Sequence, residues 1–193
     1  MDFYELILAG KLNGGGGGGG GQWTTDGLAQ GLDPNGSIVI SDSVTAIDSQ
    51  AFRHDIYLTE VRGNGITTLG SEVFRDSTGL IKVFFPNMTA NIPVYTFGSC
   101  SALTVADLGK TGQINNNSFN GAGAMRTLIL RKDGVSALQS WASGTLGGIY
   151  SHPAESTIYV PENQISSYQG ASNWVSAYNA GVTFAKIEGS IYE

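Results

Sequence analysis

The sequence predicts a β-rich (α+β) solenoid of about five 22–23-residue units, closed by a C-terminal helical cap. Three observations predict it. Phe52, Phe74, Phe97 and Phe119 recur at near-equal intervals, one ring per unit. Each has an aliphatic partner five residues earlier (Ile47, Leu69, Ile92, Ile114), another six residues later (Leu58, Leu80, Leu103, Met125) and a small or aliphatic residue nine later (Val61, Val83, Ala106, Leu128). Residues nine and eleven after the ring, such as Val83 with Phe85 and Leu128 with Leu130, alternate as a short strand does. A unit this small cannot enclose its own apolar face, so it must stack on its neighbours. Trp141 keeps the beat, one interval beyond Phe119. Phe52, Phe74, Phe97, Phe119 and Trp141 are therefore the expected core plugs of five coils.

Taken in order, residues 1–13 are a short amphipathic segment carrying Phe3, Tyr4, Leu6, Ile7, Leu8 and Leu12. Its few apolar residues cannot hold a helix alone, and it is expected to anchor the protein in a larger assembly. Residues 14–21 are eight consecutive glycines, a flexible tether with nothing to pack. No Lys-Ser or Lys-Thr follows them, so they are not a phosphate cradle. Residues 22–36 form an N-terminal cap that leads into the first coil. Trp23 and Leu28 shield its open end, and Asp33-Pro34-Asn35-Gly36 makes a turn. The repeat occupies 37–161, with units at 38–60, 61–82, 83–105 and 106–127. A fifth, distorted unit carries an insertion around 144–153. There Ile158-Tyr159-Val160-Pro161 echoes Val83-Phe84-Phe85-Pro86. Residues 162–193 are the closing cap. Glu162 or Asn163 starts a helix after Pro161. Tyr168, Ala171, Val175 and Tyr178 share one face, Gly170 and Ser172 split the helix, Gly181 stops it, and a last strand runs over 182–187.

Two stretches carry a family likeness. Ser43-Val44-Thr45-Ala46-Ile47-Asp48-Ser49-Gln50-Ala51-Phe52 and Phe97-Gly98-Ser99-Cys100-Ser101-Ala102-Leu103-Thr104 resemble the BspA-like leucine-rich repeats of bacterial and phage surface proteins. Ile158–Val160 with Tyr168, Asn173-Trp174 and Tyr178 resembles their usual closing segment. The likeness covers 37–187. It departs from the pattern in lacking an asparagine ladder, in Pro93 and in glycines at apolar places. It implies a scaffold for binding, without catalysis, of the kind found in cell-surface adhesins that bind host matrix proteins.

Composition bounds the function. The charged fraction is 13%, about half the usual ~25%, and 28 of 193 residues are glycine. This suits a turn-rich extracellular or virion protein better than a cytosolic enzyme. A net charge of −6 repels a phosphate backbone, which argues against nucleic acid. Cys100 is the single cysteine and reads as a small core residue. There is no apolar run long enough to span a membrane. The first residues carry Asp2 and Glu5 where a signal peptide has basic residues, so delivery by another route, such as assembly into a phage particle, is expected.

Catalysis has no constellation to rest on. His54 and His152 lie far apart in turn-like stretches, the aspartates Asp42, Asp48, Asp55 and Asp76 fall in repeated turns, and no Gly-x-Ser-x-Gly elbow occurs. No cofactor or metal is expected. Binding is better served by the outer strand face, where Glu60, Arg62, Lys82, Phe84, Thr127, Ile129 and Arg131 are expected. Phe84 and Ile129 alternate with the inward residues; either they form an exposed apolar stripe or loops or the N-terminal entry cover them. Arg62, Lys82, Phe84, Ile129 and Arg131 are the candidate partner-binding face. The expected function is that of a non-enzymatic bacteriophage virion protein. It would be held by its N-terminus to other virion proteins and would display the repeat for decoration or adhesion to a host protein or glycan. It would be a homo-oligomer, such as the trimers of fibre-like appendages. The alternative is a bacterial cell-surface adhesin.

Overall fold

The computed structural model describes residues 36–187. The expected anchor (Phe3, Tyr4, Leu6, Ile7, Leu8, Leu12), the glycine tether, Trp23 and Leu28 lie outside the described residues.

One side of the molecule is a parallel sheet of seven strands. In spatial order they are β1 (Ser37–Val39), β3 (Glu60–Arg62), β5 (Lys82–Phe84), β6 (Val105–Asp107), β8 (Thr127–Ile129), β10 (Thr157–Val160) and β11 (Thr183–Lys186). Every neighbouring pair is parallel, and the register places Ile38, Val61, Val83, Ala106, Leu128, Ile158 and Phe184 side by side. All seven are buried. Ile40, Phe85, Leu108, Leu130 and Val160 bury a second layer. Gly63 lacks a side chain in that stretch because Ile66 takes the space: a Cβ on Gly63 would stand 2.7 Å from its Cγ1.

The second side is a ladder of very short strands. β2 (Ala46–Ile47) pairs with β4 (Thr68–Leu69), and β7 (Gln113–Ile114) pairs with β9 (Ala137–Leu138). An isolated bridge joins Ile92 to Ile114. The aliphatics that precede each ring are all buried here, with Leu138 continuing the row.

The third side carries the rings. Phe52, Phe74, Phe97 and Phe119 are fully buried and pile in one column, with successive centroids 5.1, 5.5 and 4.9 Å apart. The backbone around each ring is unusual. The residues two before and two after every phenylalanine have positive φ: Gln50 and His54, Glu72 and Asp76, Tyr95 and Ser99, Asn117 and Gly121. Alternating handedness turns the N–H groups of Gln50, Phe52 and His54 toward the carbonyls of Ser71, Val73 and Arg75 in the next coil. None of these eight positions holds a β-branched residue, which the left-handed region disfavours most.

Trp141 does not join the column. It is half-buried, and its ring tilts against Tyr150 at 5.0 Å. Phe74 and Phe97 N–H groups donate to the residue just before the next ring (Thr96 and Ser118), and by the same rule Phe119 donates to Gly144. Thr145, 1% exposed, therefore sits where a fifth ring would be. The beat fails because the chain lengthens. The step from Ile114 to Leu138 is longer than any earlier step along the row Ile47, Leu69, Ile92 and Ile114. The path from Leu138 to Thr145 is longer again than the path from Ile114 to Phe119. The extra length continues through helices Ser143–Leu146 and Gly148–Ser151 and the 3-10 turn Pro153–Glu155.

After β10, a 3-10 turn at Glu162–Gln164 leads into helices Ile165–Gly170 and Trp174–Asn179, with no side-chain cap from Glu162 or Asn163. The inward face is Tyr168, Trp174 and Ala177, whereas Val175 and Tyr178 are exposed. The spacing misleads because Ala171 is extended and Asn173 has φ +64°, which resets the helical phase between the two segments. Tyr168 and Trp174 both bind Ser136: the tyrosine OH accepts from its N–H at 2.9 Å, and the indole Nε1 donates to its carbonyl at 2.6 Å.

Candidate binding surface

In a strand, alternate side chains leave the core, and the register aligns the outward ones. One row is Val39, Arg62, Phe84, Asp107, Ile129 and Tyr159; beside it run Glu60, Lys82, Val105, Thr127 and Thr157.

Of the two alternatives for Phe84 and Ile129, exposed stripe or covered, the structure has them covered. Phe84 is 6% exposed and Ile129 fully buried. The Arg62 guanidinium lies 4.0 Å above the Phe84 ring and covers it, a cation–π contact. Ile129 is enclosed in its row between Asp107 and Tyr159. What remains open is mostly polar: Lys82 is exposed, Arg62, Thr127 and Arg131 are half-buried, and Val39 at the end of the row is the exposed apolar residue.

Asp107 organises the middle of the face, and the sequence reading passed it over. It is 1% exposed. Its Oδ2 accepts from Arg131 Nε at 2.8 Å and Nη2 at 2.7 Å, and its Oδ1 accepts from the Gly109 N–H at 3.0 Å. A buried carboxylate is stable only when paired in this way. The available signal was an arginine that follows an aspartate by close to one coil, along the same edge. Arg62 is fixed too, its Nε donating to Glu60 Oε1 at 2.5 Å. Val39, Arg62, Asn64, Phe84, Asp107 and Arg131 surround a depression of about 300 Å³.

Several other titratable groups lie apart from this face. On the turn side, Glu72 bridges Arg53 at 3.1 Å and Arg75 at 3.3 Å, and His54 faces Asp76 at 3.6 Å. Asp55 Oδ1 accepts from the N–H groups of Tyr57 and Leu58, both at 3.1 Å, as a turn aspartate does. His152 is exposed beyond helix Gly148–Ser151. Cys100 is buried, its Sγ donates to the Phe74 carbonyl at 2.9 Å, and burial pushes the thiol up to about 12. Such a thiol is structural, since the thiolate is the nucleophile. Among the described residues no helix is long and apolar enough to cross a membrane.

In-register parallel strands, with aromatic turns opposite and a largely polar outer face, define a parallel repeat protein. The family model for the BspA type leucine rich repeat region matches residues 33–142 in six copies, and the chain belongs to that family. Among solved structures it is similar to the T. pallidum leucine rich repeat protein TpLRR, with a TM-score of 0.51 and 16% identity over 67% of this chain and 66% of that one. A leucine rich cell surface protein from Faecalibacterium prausnitzii gives 0.49 and 21% over 80% of this chain and 36% of that one. The pneumococcal vaccine antigen PcpA gives 0.40 and 12% over 82% and 42%. The likeness is one of fold, and this chain spans less than two thirds of each of those chains. A search of curated proteins found no match.

Proposed function

We propose that the chain is a non-enzymatic adhesion module that engages a surface partner through the outer face of its seven-stranded sheet. The observation that carries this reading is the depression ringed by Arg62, Phe84, Asp107 and Arg131, whose charged groups are held in place before any ligand arrives. Held groups bind with less ordering cost than loose ones. Surface display is the usual setting of this family. In this reading residues 37–161 stack as a solenoid, 22–36 cover its first coil, and 162–193 cover its last. The test is adhesion of the labelled chain to bacterial or host cells. Saturable binding that unlabelled chain displaces supports the reading; binding no greater than that of an unrelated acidic protein contradicts it.

A second reading concerns the carrier, and the segment that precedes the repeat favours it. Residues 1–13 would plug into other virion proteins. Eight glycines would then give reach of roughly 16 Å, from about 5–6 Å times the square root of their number. The chain would be a decoration or fibre protein of a phage particle, assembled as a homo-oligomer such as a trimer; the alternative is a bacterial cell-surface adhesin. Deleting residues 1–13 should leave the repeat folded yet missing from purified particles by mass spectrometry. Normal incorporation of the truncated chain would refute the virion reading.

A further inference from the structure

We infer that the depression on the outer face is a subsite for the carboxylate of an acidic sugar residue. The inference rests on the adhesion reading and names its ligand.

Charge comes first. The chain carries a formal −6, yet Arg62, Lys82 and Arg131 gather here against Glu60 and Asp107, leaving this patch one net positive charge. Both carboxylates are already engaged within the chain. Asp107 is almost fully buried and holds two hydrogen bonds and a close ion-pair contact, and Glu60 accepts from Arg62 Nε. Arg62 has a side chain 41% exposed, and the hydrogen bond it makes among the described residues uses Nε alone. Arg62 lines the depression, its Nε is engaged by Glu60 and its Cζ rests on the Phe84 ring, which leaves the Nη groups to meet a ligand. An arginine held in this way offers the parallel N–H pair that a carboxylate accepts in bidentate fashion.

Size and polarity choose the carrier of that carboxylate. A volume of about 300 Å³ is at the small end of ligand clefts and accommodates one ring-sized group. A protein partner needs an apolar core in its interface. Phe84 and Ile129, which would have supplied one, are closed off, and Val39 is left as the exposed apolar residue at the end of the row, too little for such a core. A compact polar ring bearing a carboxylate asks for what is present: donors from Arg62, polar contacts at Asn64, and a small apolar rim at Val39 and Pro86.

The test uses the full chain and calorimetry or surface plasmon resonance. The probes are uronate and sialate oligosaccharides, their methyl esters, a sulfated oligosaccharide and a Glu-rich peptide. A carboxylated sugar should bind, its ester at least tenfold more weakly, and binding should weaken several-fold as salt rises from about 50 to about 300 mM. Arg62→Gln should lose at least tenfold, whereas Arg53→Gln on the turn side should change nothing. Val39→Glu places a repelling charge at an exposed rim position without touching the core, and should weaken binding similarly while melting like the parent. The inference is overturned if esters bind as well as acids, if the sulfated sugar or the peptide binds as tightly, if no carboxylated sugar binds, or if folded Arg62→Gln and Val39→Glu keep full affinity. Adhesion to cells that no carboxylated sugar displaces would remove this ligand and leave the adhesion reading standing; absence of adhesion would remove the reading itself.

Discussion

Cys100 shows how a single side chain is used in this repeat. Three residues after each ring, Ser77 donates its hydroxyl to the Phe52 carbonyl at 2.5 Å, and Cys100 donates its thiol to the Phe74 carbonyl. Cys100→Ser should be near neutral, while Cys100→Ala orphans a buried carbonyl and should cost about 1–3 kcal/mol by urea unfolding. The folded thiol keeps its proton to about pH 12, against an ordinary 9.0. The stability it contributes is whole below pH 9 and falls as pH rises from there toward 12. Burial raises Tyr168 as well, so it adds a further decline above pH 10.0. Cys100→Ser should flatten the loss between pH 9 and 12; an unchanged profile would contradict this assignment. The left-handed positions make a second prediction. Ser99 has φ +58°, and Gly121 fills the matching place one coil on. Ser99→Gly should stabilise by a few tenths of a kcal/mol or be neutral, and Ser99→Val should cost about 1–3 kcal/mol in thermal unfolding.

At the scale of the element, the ring column and the strand register do most of the organising. Phe97 touches rings on both sides, so Phe97→Ala should cost about 3–5 kcal/mol. Trp141→Ala should cost less than half of that, because its half-buried ring pairs with Tyr150 outside the column. A double-mutant cycle on Phe74 and Phe97 should give a coupling of about 0.5–1.5 kcal/mol, and one on Phe52 and Phe119, which do not touch, should give nearly none. Arg131→Ala leaves Asp107 buried with only the Gly109 N–H, and should cost roughly 3 kcal/mol, the low end for a broken buried pair. Much of this was legible in the chain. The regular spacing of the four rings and their aliphatic partners predicted the plugs and the inward strand residues, because packing imposes the same demand on every coil. Trp141 was misread, since spacing counts residues and an insertion changes their geometry. The outer face was legible as a place but not as a chemistry. Alternation placed Phe84 and Ile129 outward, and only the folded chain shows Arg62 over one ring and the other closed in its row. Asp107 was missed because it sits in a strand position with no local motif.

At the scale of the whole molecule, a rigid parallel sheet turns scattered residues from successive repeats into one surface. Arg62, Lys82, Asp107 and Arg131 come from four strands or strand ends and meet only because the register is kept from β3 to β8. The opposite side uses its own charges internally, with Arg53 bridging to Glu72 and Asp76 of the next coil and Arg75 pairing with the same two within its own coil. The two sides should therefore differ in function while sharing one fold. The most direct measurement is cell adhesion, by flow cytometry, of two charge-altered chains that melt like the parent. One carries Arg62→Gln with Lys82→Gln on the outer face, and the other carries Lys110→Gln with Lys186→Gln, neither of which lines the depression. The account predicts that the first loses at least nine-tenths of its adhesion and the second keeps it; full adhesion by the first, or equal loss by both, would contradict it.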